Sequence, residues 1–359
     1  MPLGIDRVVE EADLRPLRPL ASSFVIEIVD QTLLPHDWVT VRIATAREAA
    51  HAIRTMQVRG APLIGATAAY GLALALRADA SDASLAEAHS LLLATRPTAV
   101  NLRWALDRCV RAVASLPPSE RAAAAWREAD AIAGEDAASN LAIGKHGLPL
   151  IERLSAGERS VQILTHCNAG ALATLGLGTA TAPIYLAHRA RIPVHIWVSE
   201  TRPRLQGAKL TAWELRAHGV PHTLIVDAAG AALMRQGRID LVLVGADRVA
   251  ANGDVCNKIG TYEKALAAGD NGVPIYAAVP SATIDWTLAD GGGIPIEERD
   301  ASEVLSMGGT EMIAPAGTAV ANPAFDVTPA RLLTGLITER GVCAATAQGL
   351  AAMFSERFA

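Results

Sequence analysis

The chain has 359 residues, 51% of them apolar but only 4% aromatic, with a net charge of -5. That length exceeds one ordinary core and points to two domains, while the dispersed basic residues give no electrostatic basis for binding nucleic acid or an anionic membrane. Its four cysteines, Cys109, Cys167, Cys256 and Cys343, are far apart and form no CxxC pair, which disfavours a zinc ribbon or a disulfide framework and suits reduced thiols in the cytoplasm.

Taken in order, the N-terminus carries Asp6, Glu10, Glu11 and Asp13 without an apolar stretch, so it does not read as a secretory signal. Phe24–Val29 and Val39–Ile43 alternate as short strands around the Pro35-His36-Asp37 turn and predict a small antiparallel cap. Helical periodicity follows over Ala46–Gln57, Pro62–Leu76, Ser84–Leu93, Ala99–Leu116 and from Ser119 to about Lys145. The longest uncharged run, Gly60–Leu76, contains Gly, Pro, Thr and Tyr and falls short of the roughly 20 apolar residues of a membrane span, so it reads as a buried helix. Gly147, Pro149, Ser155 and Gly157 loosen the helical pattern, which puts the domain boundary at Gly147–Ala156, with a mainly helical domain over 1–148 and a second domain over 149–359.

Beyond Gly157 strands alternate with helices, the signature of an α/β domain with a parallel sheet. The expected strands are Val161–Thr165, Pro193–Val198, Thr223–Val226, Leu241–Val244 and Ile275–Val279. Right-handed crossovers bring their ends to one edge, where ligands of open α/β sheets sit. There the chain offers His166-Cys167-Asn168, Ser199-Glu200-Thr201, Asp227, Gly245-Ala246-Asp247 and Pro280-Ser281. Cys167 is a nucleophile or base candidate, or equally a small buried hydrophobe, and a helix opening at Asn168 would lower its thiol pKa. His166 faces the other way and reads as core. Asp247 directly follows a buried strand, where burial can keep a carboxyl protonated; the plainer readings are a helix cap or a partner of Arg248 or Lys258. Asn257-Lys258, read as opening the next helix, suits a phosphate or a sugar hydroxyl. Arg59-Gly60-Ala61-Pro62 combines a guanidinium with a helix start, an anion site or mere punctuation. Glu200–Gly207 offers Arg202, Arg204 and Gln206 as a substrate clamp or a solvated loop, and Arg96-Pro97-Thr98 precedes another helix. Gly60–Gly65 lacks the P-loop lysine and Gly176-Leu-Gly178 lacks a third glycine, so no nucleotide cofactor is expected. Cys109, Cys256 and Cys343 read as structural.

Taken together, Arg59–Gly65, Arg96–Leu102, Thr165–Thr174, Glu200–Gly207, Gly245–Arg248, Ala251–Asp254, Asn257–Tyr262, Ile294–Arg299 and Asn322–Pro329 resemble the methylthioribose-1-phosphate isomerases of methionine salvage over nearly the whole chain. Relatives of that family include ribose-1,5-bisphosphate isomerase and the regulatory subunits of the exchange factor for translation initiation factor 2. The resemblance implies a Rossmann-like C-terminal domain, a smaller N-terminal domain with a short antiparallel sheet, and a homodimer. It also implies aldose-to-ketose isomerisation of a sugar phosphate without metal, nucleotide or other cofactor. Carried over by motif, Cys167 and Asp247 are the catalytic pair, and Arg59, Gly60, Ala61, Arg96, Gln206, Asn257 and Lys258 contact the substrate. Two departures, Cys256 in place of a small residue such as Ala and the His195-Ile196-Trp197 strand, touch neither catalytic residue.

Overall fold

The computed structural model describes residues 14–20, 22–96, 99–155, 159–307 and 311–357; the acidic N-terminal stretch, Pro97, Thr98 and Ala156–Glu158 lie outside the described residues. Two compact units emerge, residues 1–141 with 170–178 and residues 142–169 with 179–359.

In the first unit β1 (Leu17–Leu20), β2 (Val25–Val29) and β3 (Thr40–Ile43) form an antiparallel sheet in chain order, one strand more than the alternation predicts. The period of two is visible in β2, where Ile26 and Ile28 are buried and Glu27 between them is not. Helices follow: α1 (Ala46–Arg54), α2 (Ala61–Ala78), α3 (Asp82–Leu93), α4 (Val100–Val113) and α5 (Pro118–Leu154). Thr45 starts α1 with a capping box, its hydroxyl accepting from the Glu48 amide while the Glu48 carboxylate accepts from the Thr45 amide. Among the described residues α2 is the one helix apolar and long enough to cross a membrane, yet 78% of it is buried inside the protein, as a core helix requires. Tyr70 of α2 packs edge-on to Trp126 of α5 at 5.0 Å and donates its hydroxyl to Asp130 at 2.6 Å, so its polar tip is satisfied while its ring fills the core.

Helix α5 corrects one expectation. Gly147 and Pro149 do not end it, and the helix continues to Leu154. In the second unit a Cβ at Gly147 would lie 2.5 Å from Pro183 Cγ, and one at Gly144 would lie 2.9 Å from Leu186 Cδ1. These glycines permit close approach of α6 (Thr181–Arg189), a requirement that local sequence does not express.

Residues 170–178 are tied into the first unit by two hydrogen bonds. Gln31 Nε2 donates to the Leu172 carbonyl at 2.7 Å, and the Leu175 amide donates to Asp136 Oδ2 at 2.7 Å. Burial pushes the Asp136 carboxyl up to about 6, against the pull of the Leu175 amide. A carboxyl raised above its unfolded value favours the folded state below about pH 4 and loses that contribution as pH rises through about 6. Asp136→Asn, neutral at every pH and still an acceptor, is therefore expected to be more stable than the parent by about 1–2 kcal/mol above pH 6 and to converge with it near pH 4. Urea midpoints from pH 4 to 8 check this, and parallel profiles for the two proteins would refute it.

The second unit holds β4 (Val161–Thr165), β5 (Val194–Ser199), α7 (Ala212–Ala217), β6 (His222–Ile225), α8 (Ala229–Arg235), β7 (Leu241–Val244), β8 (Arg248–Ala250), β9 (Val255–Lys258), α9 (Thr261–Asp270), β10 (Ile275–Ala278) and β11 (Ile284–Asp285). After these come α10 (Ser302–Leu305), β12 (Ser306–Met307), β13 (Glu311–Met312), β14 (Phe325–Thr328), β15 (Gly335–Thr338), β16 (Gly341–Cys343) and α11 (Ala347–Met353). The main sheet has the order β16-β15-β10-β7-β4-β5-β6 and is parallel except for β16. All five predicted strands are present; β15 and β16 complete the sheet on the β10 side. Counted from β4, its parallel strands run 3-2-1-4-5-6, so winding reverses between β4 and β7, and a doubly wound sheet binds ligands at that point. A second sheet, β11-β8-β9-β14, follows the end of β7. Here the prediction for Asn257-Lys258 is corrected. They end the fully buried strand β9, paired with β14 some 70 residues away, and helix α9 begins only at Thr261, after Gly260 at φ +98°.

Candidate active site

Strand β4 ends at Thr165, paired with Leu243 of β7, and two residues later the buried Cys167 adopts φ +64°. That conformation is costly for a non-glycine residue and persists only where its surroundings enforce it. Here both of its peptide groups are held: the Cys167 amide donates to Thr201 Oγ1 at 2.8 Å, and Thr211 Oγ1 donates to the Cys167 carbonyl at 2.6 Å. No helix opens at Asn168, contrary to the sequence reading, since the turn at Cys167 leads through a single 3-10 turn at Ala171–Ala173 and α6 begins at Thr181. No α-helix N-terminus therefore follows the thiol directly in the chain. Asn168 Nδ2 instead donates to Thr211 Oγ1 at 3.2 Å and to Glu214 Oε1 at 2.8 Å. His166 is buried as expected of a core residue, donating from Nε2 to the Ile259 carbonyl at 2.8 Å. Burial, followed by the nearby Lys264 charge, pushes its pKa down and keeps the ring neutral.

Asp247 leaves β7 four residues beyond Leu243, and it is half-buried. Gly245 explains how close the two loops come, because a Cβ there would stand 2.7 Å from Ala169 Cβ. The strand β8, not a helix, follows Asp247, which removes the capping reading, and the Asp247 amide donates to the Cys256 carbonyl at 2.9 Å, so Cys256, expected to touch neither catalytic residue, is in fact bonded to Asp247 through its backbone. Burial pushes the Cys256 thiol up to about 12, and burial likewise raises Cys109 and Cys343. These three stay protonated and fit structural roles.

The same bond ties the Asp247 loop to β9, whose last residues are Asn257 and Lys258, both buried. Asn257 Nδ2 donates to Thr261 Oγ1 at 3.0 Å, while Lys258 Nζ donates to the Ala324 carbonyl at 2.7 Å and lies 4.4 Å from the Phe325 ring centre. Gln206 is buried after β5, and its Oε1 has no hydrogen-bond partner among the described residues. A buried amide oxygen left in that state calls for a donor such as a hydroxyl. The two cations of the same loop are committed elsewhere, which corrects their reading as a clamp. Arg202 donates to the carbonyls of Val304 at 2.8 Å and Ser306 at 3.2 Å, and Arg204 pairs with Glu303 at 2.9 Å. Asp227 anchors this loop from β6. Although burial opposes its charge, hydrogen bonds from Ser199 Oγ and the amides of Arg202 and Thr201 hold its carboxyl below the usual range.

The second unit thus carries Cys167 and Asp247 just past the carboxyl ends of β4 and β7, Gln206 in the segment after β5, and Asn257 and Lys258 on β9. Arg59, Gly60, Ala61 and Arg96 belong to the first unit. Arg59 is buried at the entry to α2, Gly60 occupies its N-cap at φ +90° without a side-chain cap, and Pro62 lies in the first turn. A Cβ on Gly60 would stand 2.5 Å from the Ala173 carbonyl oxygen, so only glycine allows this approach. Half-buried Arg96 lies between α3 and α4. Sequence reasoning passed over Thr211 and Glu214; the signal available was their spacing of three on one helical face, next to Gln206.

Residues 57–345 match the Initiation factor 2 subunit family. The chain is 57% identical over 365 residues to a methylthioribose-1-phosphate isomerase of Rhodospirillum rubrum, covering 97% of this chain and 94% of that protein. Its fold is similar to the crystal structure of 5-methylthioribose 1-phosphate isomerase from Pyrococcus horikoshii, with a TM-score of 0.85 and 41% identity over 98% of this chain and 99% of that one. It is also similar to a structure described as subunit delta of translation initiation factor eIF-2B from A. fulgidus, with a TM-score of 0.81 and 36% identity over 95% of this chain and 99% of that one.

Proposed function

The chain belongs to the Initiation factor 2 subunit family and, within it, to the methylthioribose-1-phosphate isomerases, and from that membership we propose that it converts 5-methylthioribose 1-phosphate to 5-methylthioribulose 1-phosphate in methionine salvage. What supports the reading at the level of residues is that Cys167 and Asp247 follow the adjacent parallel strands β4 and β7 at the switch point of the sheet, in loops that Gly245 lets approach each other. In a glycosyl phosphate C1 is esterified, so the ring opens with the phosphate still attached and hydrogen then passes from C2 to C1. Asp247 protonates the ring oxygen as it leaves C1, Cys167 as thiolate takes the C2 proton and returns it to C1, and the C2 hydroxyl proton goes back to the Asp247 carboxylate as C2 becomes the ketone. Water-excluding burial around Cys167 strengthens both effects. Arg59, Gly60, Ala61 and Arg96 together with Gln206, Asn257 and Lys258 are the proposed substrate contacts, the cations holding the phosphate. Four unbridged cysteines support a cytoplasmic setting, and the family resemblance supports a homodimer.

The test is phosphorus and proton NMR of the purified protein with 5-methylthioribose 1-phosphate, with 5-deoxyribose 1-phosphate and ribose 1,5-bisphosphate alongside. Conversion of the methylthio compound to a ketose 1-phosphate is expected, fastest of the three, and sedimentation of the same preparation at micromolar concentration is expected to return a dimer. In deuterium oxide, label at C1 of the product is the mark of proton transfer through an enediolate. The likeness to the subunit delta structure favours a second reading, a non-catalytic subunit, and absence of turnover on all three sugars by folded protein would bring it forward.

A further inference from the structure

Cys167 stands in the left-handed region although nothing in its own side chain favours that conformation. Its amide and its carbonyl are each gripped by a threonine hydroxyl, and both threonines come from the segment after β5, more than 30 residues away in sequence. Thr201 is completely buried, itself at φ +66°, and accepts from Cys167 while its one hydrogen goes to the Ser199 carbonyl at 3.0 Å or to His166 Nδ1 at 3.4 Å. Thr211 is 1% exposed at the end of the π-helical turn Gly207–Thr211, and it accepts from Asn168 while donating to Cys167. Behind it Glu214, fully buried, accepts from Asn168 through one oxygen and from Tyr185 Oη at 3.1 Å through the other. Each hydroxyl is thus fixed in direction by its other partner. A hydroxyl that must donate on one side can only accept on the other, so the two threonines leave the Cys167 peptide groups one arrangement.

We infer that Thr201 and Thr211 are positioning residues that hold the Cys167 backbone left-handed and so set the direction of its thiol. The inference rests on the assignment of Cys167 to the chemistry. Neither threonine needs to touch the substrate. Backbone turns at a catalytic residue act on rate because small errors of placement in the reacting groups cost up to about 100-fold.

Thr201→Val and Thr211→Val keep shape and remove the hydroxyl; Thr201→Ser and Thr211→Ser keep the hydroxyl and remove a methyl. With 5-methylthioribose 1-phosphate as substrate, each valine variant is expected to lose about 10- to 100-fold in kcat with KM within about two-fold, and each serine variant to recover to within about three-fold of the parent. Cys167→Ala is measured beside them. If it is inactive while a folded valine variant turns over like the parent, the positioning inference falls and the catalytic assignment stands. Retained turnover in Cys167→Ala removes both. Loss in the serine variants equal to that in the valine variants, a loss carried by KM alone, or failure of both valine variants to fold assigns the hydroxyls to binding or to stability and overturns the inference.

Discussion

Cys167→Ala is expected to reduce kcat on 5-methylthioribose 1-phosphate by about 1000-fold or more, with the thermal midpoint moved little. The magnitude follows from general-base catalysis, typically worth about 100- to 10,000-fold, applied to a group on which the transfer between C2 and C1 depends. Stability is spared because the bonds with Thr201 and Thr211 are made by the Cys167 backbone, which alanine retains. The removed sulfur leaves at most a small void in a buried place. Steady-state kinetics with a parallel melting curve make the check. Turnover within a few-fold of the parent from well-folded Cys167→Ala would take the base away from Cys167.

Asp247→Asn is expected to lose about 100- to 10,000-fold in kcat, because an amide of the same shape cannot give a proton to the ring oxygen. KM is expected to stay within a few-fold, since the substitution leaves the backbone bond from position 247 to the Cys256 carbonyl intact and with it the link to Asn257 and Lys258. A double variant with Cys167→Ala is expected to be hardly slower than the worse single variant, as residues acting on one step are strongly non-additive. If Asp247→Asn lost affinity and kept kcat, the residue would be a substrate contact and the proton donor would lie elsewhere.

Much of this was legible before any coordinates. The strands Val161–Thr165 and Leu241–Val244 match the expectation to the residue, because a short, mostly apolar stretch closed by polar residues or glycine is a signal carried within five residues. Cys167 and Asp247 followed as the side chains just past those strands. What failed were inferences about residues whose partners are remote. Asn257-Lys258 looked like a helix start since the strand that pairs with it, Phe325–Thr328, lies far along the chain. Arg202 and Arg204 looked available because Val304, Ser306 and Glu303, which occupy them, are about 100 residues away. Gly147 looked like a helix end because nothing nearby records that Pro183 needs its missing side chain.

By itself, then, the sequence determined the α/β class, the helix-rich first unit, the two residues proposed for the chemistry and, through motif, the family. Those depend on short-range periodicity and on residue identity, both of which survive in a linear string. Only the tertiary structure decided the 3-2-1-4-5-6 order that puts β4 beside β7, the left-handed turn at Cys167 and the threonines that enforce it. The reason is that pairing order and hydrogen-bond direction are properties of contacts between distant segments. A hydroxyl on Thr211 reads the same in the string whether it faces water or the Cys167 carbonyl.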